Sequence, residues 1–410
     1  MEKIFNMLKS CKIISSAVTV SKRHVYATVL LTCVFNLSSY WSVITFASEE
    51  IQVTSDNIID YEFDYANPRF AWTDFTDGGK LWIGYIDPQT GEFLPPDGKA
   101  LLVDTDTIYQ GNGPEWAATS QGPRLVYNKK LQDLRVGLAQ ATEISNSWIV
   151  DFLHKSKKRL NPLASLNLED RNPLIFYLLR IGNNQHILAW RVLDYAITEE
   201  TIPMSLGATG GRWVPDRRAL VFSATLDNGG RQAFLYDCNT EETEQLTFDS
   251  GRKQTVFMWK APEFNDEYIF FASVKMNNFS VIRVYNKTIN QDGVEEWNVF
   301  KTISPPSTGI YFWSPEPFVH NGKSYISFVA STSPNHLASD VPTQIWLADI
   351  VPAGGFVKNL TTDPNKLRID PEVFVTDQGP YIYYNREIPG TDTDPRIKEG
   401  IYRVDTGLGP

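Results

Sequence analysis

The sequence is poor in cysteine, histidine and basic charge, and each shortage excludes a class of protein. Its 410 residues include three cysteines and five histidines. Cys11 and Cys33 fall in an N-terminal leader, so Cys238 stands alone in the body. A single cysteine forms no internal disulfide, and a sizeable apolar core must hold the fold together. His154, His186, His320 and His336 have no metal-ligand spacing, and one cysteine cannot build a zinc site. No metal and no cofactor are therefore expected. Asp104-x-Asp106 and Asp392-x-Asp394 do not continue as calcium loops and read as solvated turns. The run Gly207 to Gly211 lacks the Lys-Ser/Thr of a phosphate loop and reads as a connector. Beyond residue 47 there are 33 basic and 47 acidic residues, a net charge of −14. Such a body repels phosphate backbones, and the cluster Lys155, Lys157, Lys158 and Arg159 reads as a solvated loop. Nucleic acid is excluded as a partner.

The first 24 residues carry Lys3, Lys9, Lys12, Lys22 and Arg23 against Glu2, and an apolar run from Val25 to Phe35 follows. With small residues before Ala47, this reads as a secretory signal over residues 1–47. The protein is then exported, secreted or periplasmic, with no membrane span after cleavage. If the leader is uncleaved, residues 25–47 anchor it; Asn36, Ser38, Ser39 and Ser42 make that span a poor one.

Aromatic residues are plentiful: 11 Trp, 18 Tyr and 23 Phe. They favour β structure, and they recur in phase with a repeat. Pro114-Glu-Trp-Ala-Ala-Thr-Ser-Gln-Gly-Pro-Arg-Leu-Val-Tyr-Asn128 matches Pro371-Glu-Val-Phe-Val-Thr-Asp-Gln-Gly-Pro-Tyr-Ile-Tyr-Tyr-Asn385 at eight of fifteen positions. Each copy reads as strand, turn, strand. Related phrases begin at Trp213, Trp259 and Ser314, with Pro68 to Tyr85 upstream and a poorer copy from Pro162 to Leu179. A third strand follows at Ala233–Asp237, Val281–Tyr285, Gln344–Asp349 and Ile401–Asp405, and a fourth is plausible in two units.

Four antiparallel strands make one propeller blade. The two best copies lie 257 residues apart with four units between them, so a unit is about 51 residues. Residues 48–410 then form a single all-β domain, a β-propeller of seven four-stranded blades, with six as the alternative count. The last unit lacks a fourth strand, and Glu50–Val53 can supply it. This closes the ring and removes two open sheet edges.

The units around Trp213–Phe248 and Lys323–Thr361 resemble TolB-like, or PD40-type, repeats related to WD40. The matching residues are Trp213-x-Pro215-Asp216, Phe222-Ser-Ala224, Leu235-Tyr-Asp237 and Leu246-Thr247, then Phe328-Val-Ala330, Leu347-Ala-Asp349 and Leu360-Thr361. The resemblance implies a fold and a binding platform, not a reaction. Some members are fused to an α/β-hydrolase domain, but no Gly-x-Ser-x-Gly elbow occurs in this sequence. Ile369-Asp-Pro-Glu-Val-Phe also resembles the Asp-Pro-x-x-Phe phrase of five-bladed glycoside hydrolases, which hold catalytic acids around the axial pocket. In this chain the phrase, with Asp370, sits in the last blade rather than the first.

If Pro-Glu opens the innermost strand of several blades, Glu115, Glu316 and Glu372 converge at the channel mouth, and Glu263 joins them. Arg69 and Arg212 fall at similar positions in other blades. Clustered acids raise one another's pKa and arginines lower it. The competing reading makes each Glu a strand-start residue bonded to local backbone. Trp116, Trp213, Trp259 and Trp313, recurring at one place in their units, read as blade packing. The expected partner is a protein or glycan ligand and the expected state a monomer.

Overall fold

A computed structural model describes residues 48–410, apart from positions 57, 59, 65, 76–77, 133–135, 146, 157, 166, 168–169, 171, 183–184, 195–198, 209, 336–337, 352–354 and 392–394. The leader assigned to residues 1–47 lies outside the described residues, as do His336 and the Asp392/Asp394 pair.

The central strands explain the architecture. Ala219–Thr225, Glu267–Lys275 and Lys323–Ser331 are buried almost throughout, with no polar face. A strand covered on both sides belongs to a sheet packed between two others. Seven antiparallel sheets meet that demand in a ring. Their innermost strands are Glu62–Phe63, Glu115–Ala117, Arg159–Ala164, Gly211–Trp213, Arg252–Ala261, Tyr311–His320 and Leu367–Thr376, which number blades 1 to 7. Six sheets have four strands; in blade 1, Lys80–Ile86 pairs with both Phe93–Leu94 and Leu101–Thr105. Among the described residues the only helix is the 3-10 turn Pro262–Phe264, and no helix is long and apolar enough to cross a membrane.

The core consists of seven clusters, each filling the gap between two successive blades. Phe176 and Trp190 of blade 3 pack with Phe222 and Phe234 of blade 4. Val221 and Leu235 of blade 4 pack with Met258 and Phe270 of blade 5, and the pattern continues to blade 7. Phe63, Phe70 and Phe93 of blade 1 then pack with Tyr381 and Tyr383 of blade 7, completing the circle.

The ring closes through the N-terminal strand. Glu50–Thr54 pairs antiparallel with Ile397–Asp405 as the outermost strand of blade 7. Glu50 fixes it there. Its carboxylate accepts hydrogen bonds from both Nε and Nη2 of Arg368, from the Tyr384 hydroxyl at 3.0 Å and from Arg386 at 3.3 Å. The Arg368 side chain has no exposed surface.

Candidate functional site

The innermost strands are bent where they approach the axis. Asp60, Asn161, Gly210, Ser314 and Asp370 all have positive φ, between 45° and 62°. Each stands two residues before Glu62, Leu163, Arg212, Glu316 and Glu372 respectively. In blades 3, 6 and 7 the pairing register also slips there, between Leu160 and Leu163, Trp313 and Glu316, and Ile369 and Glu372. Such bulges re-aim a strand's side chains. The residues that follow these bends, Glu62, Leu163, Arg212, Glu316 and Glu372, all line a cavity of about 590 Å³.

Six carboxylates line that cavity: Asp60 and Glu62 of blade 1, Glu115 of blade 2, Glu316 of blade 6, and Asp370 and Glu372 of blade 7. Because blade 7 adjoins blade 1, these acids form one arc over four consecutive blades. The opposite wall, from blades 3 to 5, carries Leu163, Arg212 and Phe257. The Arg212 guanidinium lies 4.8 Å from the centre of the Phe257 ring and donates to the Gly211 carbonyl at 3.0 Å.

Burial sets the acids' protonation. Removal from bulk water pushes Glu115 up to about 8, with Arg212 pulling it down and Glu316 and Asp370 pushing it further up. Glu316 rises to about 7 by burial, against the pull of Arg212. Asp370 rises to about 6 by burial, moderated by a hydrogen bond at 2.9 Å from the Asp60 backbone N–H. Asp60, Glu62 and Glu372 lie well above the usual carboxylate range, first through burial and then through the charges of Asp370, Glu115 and Glu316 respectively. The phenols of Tyr61 and Tyr109 are also raised, first by burial and then by Asp370 and Asp60 respectively. The arc therefore holds protons near neutral pH that solvated carboxyls would release.

On the blades of the arc the lining side-chain donors besides the indoles are Asn112 and Ser314, whereas Arg212, Gln254, Thr255 and Ser273 line the opposite side. Asn112 donates to Glu115 at 2.7 Å. The indole N–H groups of the lining tryptophans are already paired: Trp116 donates to the Glu62 carbonyl, Trp213 to the Leu163 carbonyl, Trp259 to the Ser324 hydroxyl and Trp313 to the Ser333 carbonyl. Asp60 lines the cavity, and its Oδ2 is buried without a donor among the described residues. Among the described residues no group of three or more His, Cys, Asp or Glu side chains is arranged to hold a metal ion.

Of the seven residues singled out in the sequence, Glu115, Arg212, Glu316, Asp370 and Glu372 meet at the cavity. Arg69 and Glu263 do not. Arg69 is on the second strand of blade 1, where it pairs with Asp64 at 2.7 Å and Glu143 at 2.9 Å and lies 4.6 Å from the Trp116 ring. Glu263 sits in the 3-10 turn past the far end of its strand and accepts hydrogen bonds from the N–H and hydroxyl of Ser324, joining blade 5 to blade 6. Asp60 and Glu62 went unread because Tyr61, not proline, precedes Glu62. The available signal was the Glu-aromatic pair Glu62-Phe63, which matches Glu115-Trp116.

No family model and no curated protein matches the chain. Solved structures do. TolB from Acinetobacter baumannii is 16% identical, over 82% of this chain and 79% of that one, with a TM-score of 0.37. An acylaminoacyl peptidase from Pyrococcus horikoshii is 10% identical over 89% of this chain, TM-score 0.47, and prolyl oligopeptidase B from Galerina marginata 12% over 82%, TM-score 0.49. This chain spans about half the length of either peptidase. The class that the sheets define is the seven-bladed β-propeller. At these identities the likeness is one of fold alone.

Proposed function

We propose that this is an exported propeller whose axial cavity binds a ligand, so that the ring acts as a binding platform. One observation carries the reading: six carboxylates from four consecutive blades, separated by up to 312 positions in the chain, converge on one cavity of about 590 Å³. That volume suits a small-molecule site. Clustering buried acids works against folding unless something else selects for it. Export rests on the basic and apolar leader. The test is a screen of glycans, peptides and charged small molecules against the wild type and the Glu115→Gln and Glu372→Gln variants. A ligand whose binding both substitutions leave unchanged would remove the cavity from the reading.

A second reading has its own support. At pH 7, Asp370 at about 6 is mostly ionised while Glu115 at about 8 is mostly protonated. Glycoside cleavage needs such a division between a carboxylate and a carboxylic acid. Under this reading the same screen detects sugar release, and Glu115→Gln abolishes it.

A further inference from the structure

We propose that the ligand of the axial cavity is an organic cation, an ammonium or guanidinium group on an apolar body, held with its charged end against the acid arc of blades 6, 7, 1 and 2. This rests on the cavity being a binding site and names what it selects.

Three features point the same way. The first is the imbalance of hydrogen-bonding groups. The arc offers six carboxyls, while Asn112 is committed to Glu115, the indole N–H groups are already paired, and Ser314 is the one hydroxyl among the lining residues of those blades; Arg212, Gln254, Thr255 and Ser273 belong to blades 4 and 5, across the cavity. A ligand with several N–H donors supplies what the arc lacks once its carboxyls are ionised. The second is Asp60, whose Oδ2 is buried at the cavity with no donor among the described residues. A buried acceptor left unpaired costs about 1–3 kcal/mol, which an incoming N–H recovers. The third is the polarity of the cavity. Leu163 and Phe257 face the acids, and the rings of Trp116, Trp213, Trp259 and Trp313 complete the wall. Arg212, on the apolar side, repels a cation and so orients its charge toward the acids. Aromatic faces also attract the cation itself.

Binding must be linked to pH. The titratable or charged groups lining the cavity are the six acids and Arg212, with the phenols of Tyr61 and Tyr109 close to Asp370 and Asp60 behind them. A cation favours ionised carboxylates, so binding drives off protons that the empty arc retains. Affinity therefore rises with pH through the range in which Asp370, Glu316 and Glu115 lose their protons, about 6 to 8.

The probe is 2-phenylethylamine, with 2-phenylethanol as the neutral isostere and a blocked Phe-Lys dipeptide to separate a free amine from a protein side chain. Calorimetry on the full chain at pH 5.5, 7 and 8.5, in buffers of different ionisation enthalpy, reads affinity and proton release together. The expected result is amine or dipeptide binding at pH 8.5, proton release, at least tenfold weaker binding at pH 5.5, and at least tenfold loss in Glu316→Gln and Asp60→Asn. Melting curves establish that both variants are folded. Whichever of amine and dipeptide binds more tightly identifies the source of the cation. Equal binding of amine and alcohol, or amine binding that both variants retain, overturns the proposal. A neutral glycan that binds and is lost in Glu115→Gln, with no cation binding, overturns the cation while leaving the cavity as the site.

Discussion

Glu50 is the residue on which closure of the ring turns, and its removal can be worked through quantitatively. Its side chain is 7% exposed and that of Arg368 is 0%. Arg368 retains acceptors at the carbonyls of Thr343, Asp363 and Lys366, but its counter-charge is Glu50. Arg386 has a second acid, Glu399, at 2.8 Å and lies 3.4 Å from the Tyr402 ring. Glu50→Ala thus leaves one guanidinium buried without a compensating charge. Breaking a buried pair in this way costs about 3–5 kcal/mol. With an unfolding entropy of about 2.1 cal/mol/K per residue over the propeller, this lowers Tm by roughly 4–7 °C. Urea unfolding and calorimetry measure the loss. Adding Arg368→Met removes the stranded charge and should recover part of it, a non-additivity that a double-mutant cycle detects. As a control, Lys287 and Glu295 form a pair whose side chains are 42% and 64% exposed, and Lys287→Ala should cost less than about 1 kcal/mol. A Glu50→Ala protein within about 1 kcal/mol of wild type would refute the idea that this ion pair fastens the N-terminal strand.

The acid arc makes a prediction about pH and stability. Its carboxyls have folded-state pKa values above their unfolded ones, so the folded chain holds extra protons, and the stabilisation fades as pH rises from about 4.5 to about 8. The Glu115→Gln/Glu316→Gln protein should gain in Tm relative to wild type as the pH is raised from 5 to 9; a constant difference would contradict the burial argument. Gly113→Ala should cost about 1–3 kcal/mol by overpacking, because its Cβ would lie 2.5 Å from the Asp60 carbonyl and 2.7 Å from Oδ2. Gly182→Ala, with nothing nearer than 3.7 Å, is the control in thermal melts. Glu263→Ala should cost about 1–3 kcal/mol by leaving the Ser324 N–H unpaired, yet leave cavity binding unchanged. A parallel loss of binding would put Glu263 back in the site.

The repeat was legible because every blade solves one packing problem with similar residues. Trp213-x-Pro215-Asp216, Leu235-Tyr-Asp237 and Leu246-Thr247 are blade residues: Asp237 pairs with Arg217, and the Thr247 hydroxyl accepts from the Ala233 N–H. Their spacing follows strand length, which sequence displays directly. The closing strand was legible for the same reason, since blade 7 was one strand short. Contacts across a blade boundary were not legible. Asn128 and Asn385 occupy the same place in the best-matched copies. Asn128 donates to the carbonyls of Gly137 and Arg159 and accepts from the Asn161 N–H at 2.9 Å. The Asn385 side chain has no partner among the described residues, because in the next blade the corresponding N–H, of Asp60, is bonded to Asp370. Identity within the repeat fixes where a side chain points, and the neighbouring blade decides what it meets.

The same reasoning explains why the cavity was half read. A propeller brings one register position from every blade to its axis, so the chemistry of the site lies in how that position varies around the ring. Read in order, the position is Glu62, Glu115, Leu163, Arg212, Glu316 and Glu372, with Phe257 serving blade 5. Glutamates preceded by proline announced themselves as a motif; Glu62, which lacks the proline, and Leu163 and Phe257, which lack the acid, did not. Yet the departures give the cavity its direction. Seven glutamates would make a symmetric ring of charge with no orientation. Three apolar or cationic exceptions on adjacent blades confine the acids to one side, and a two-sided cavity can distinguish the ends of a ligand. Placing an acid opposite the arc, as in Leu163→Glu, should therefore weaken the preference for an amine on an apolar body over a compact diamine. A competition between 2-phenylethylamine and 1,4-diaminobutane measures that preference, and an unchanged ratio would show that the apolar wall takes no part in selection.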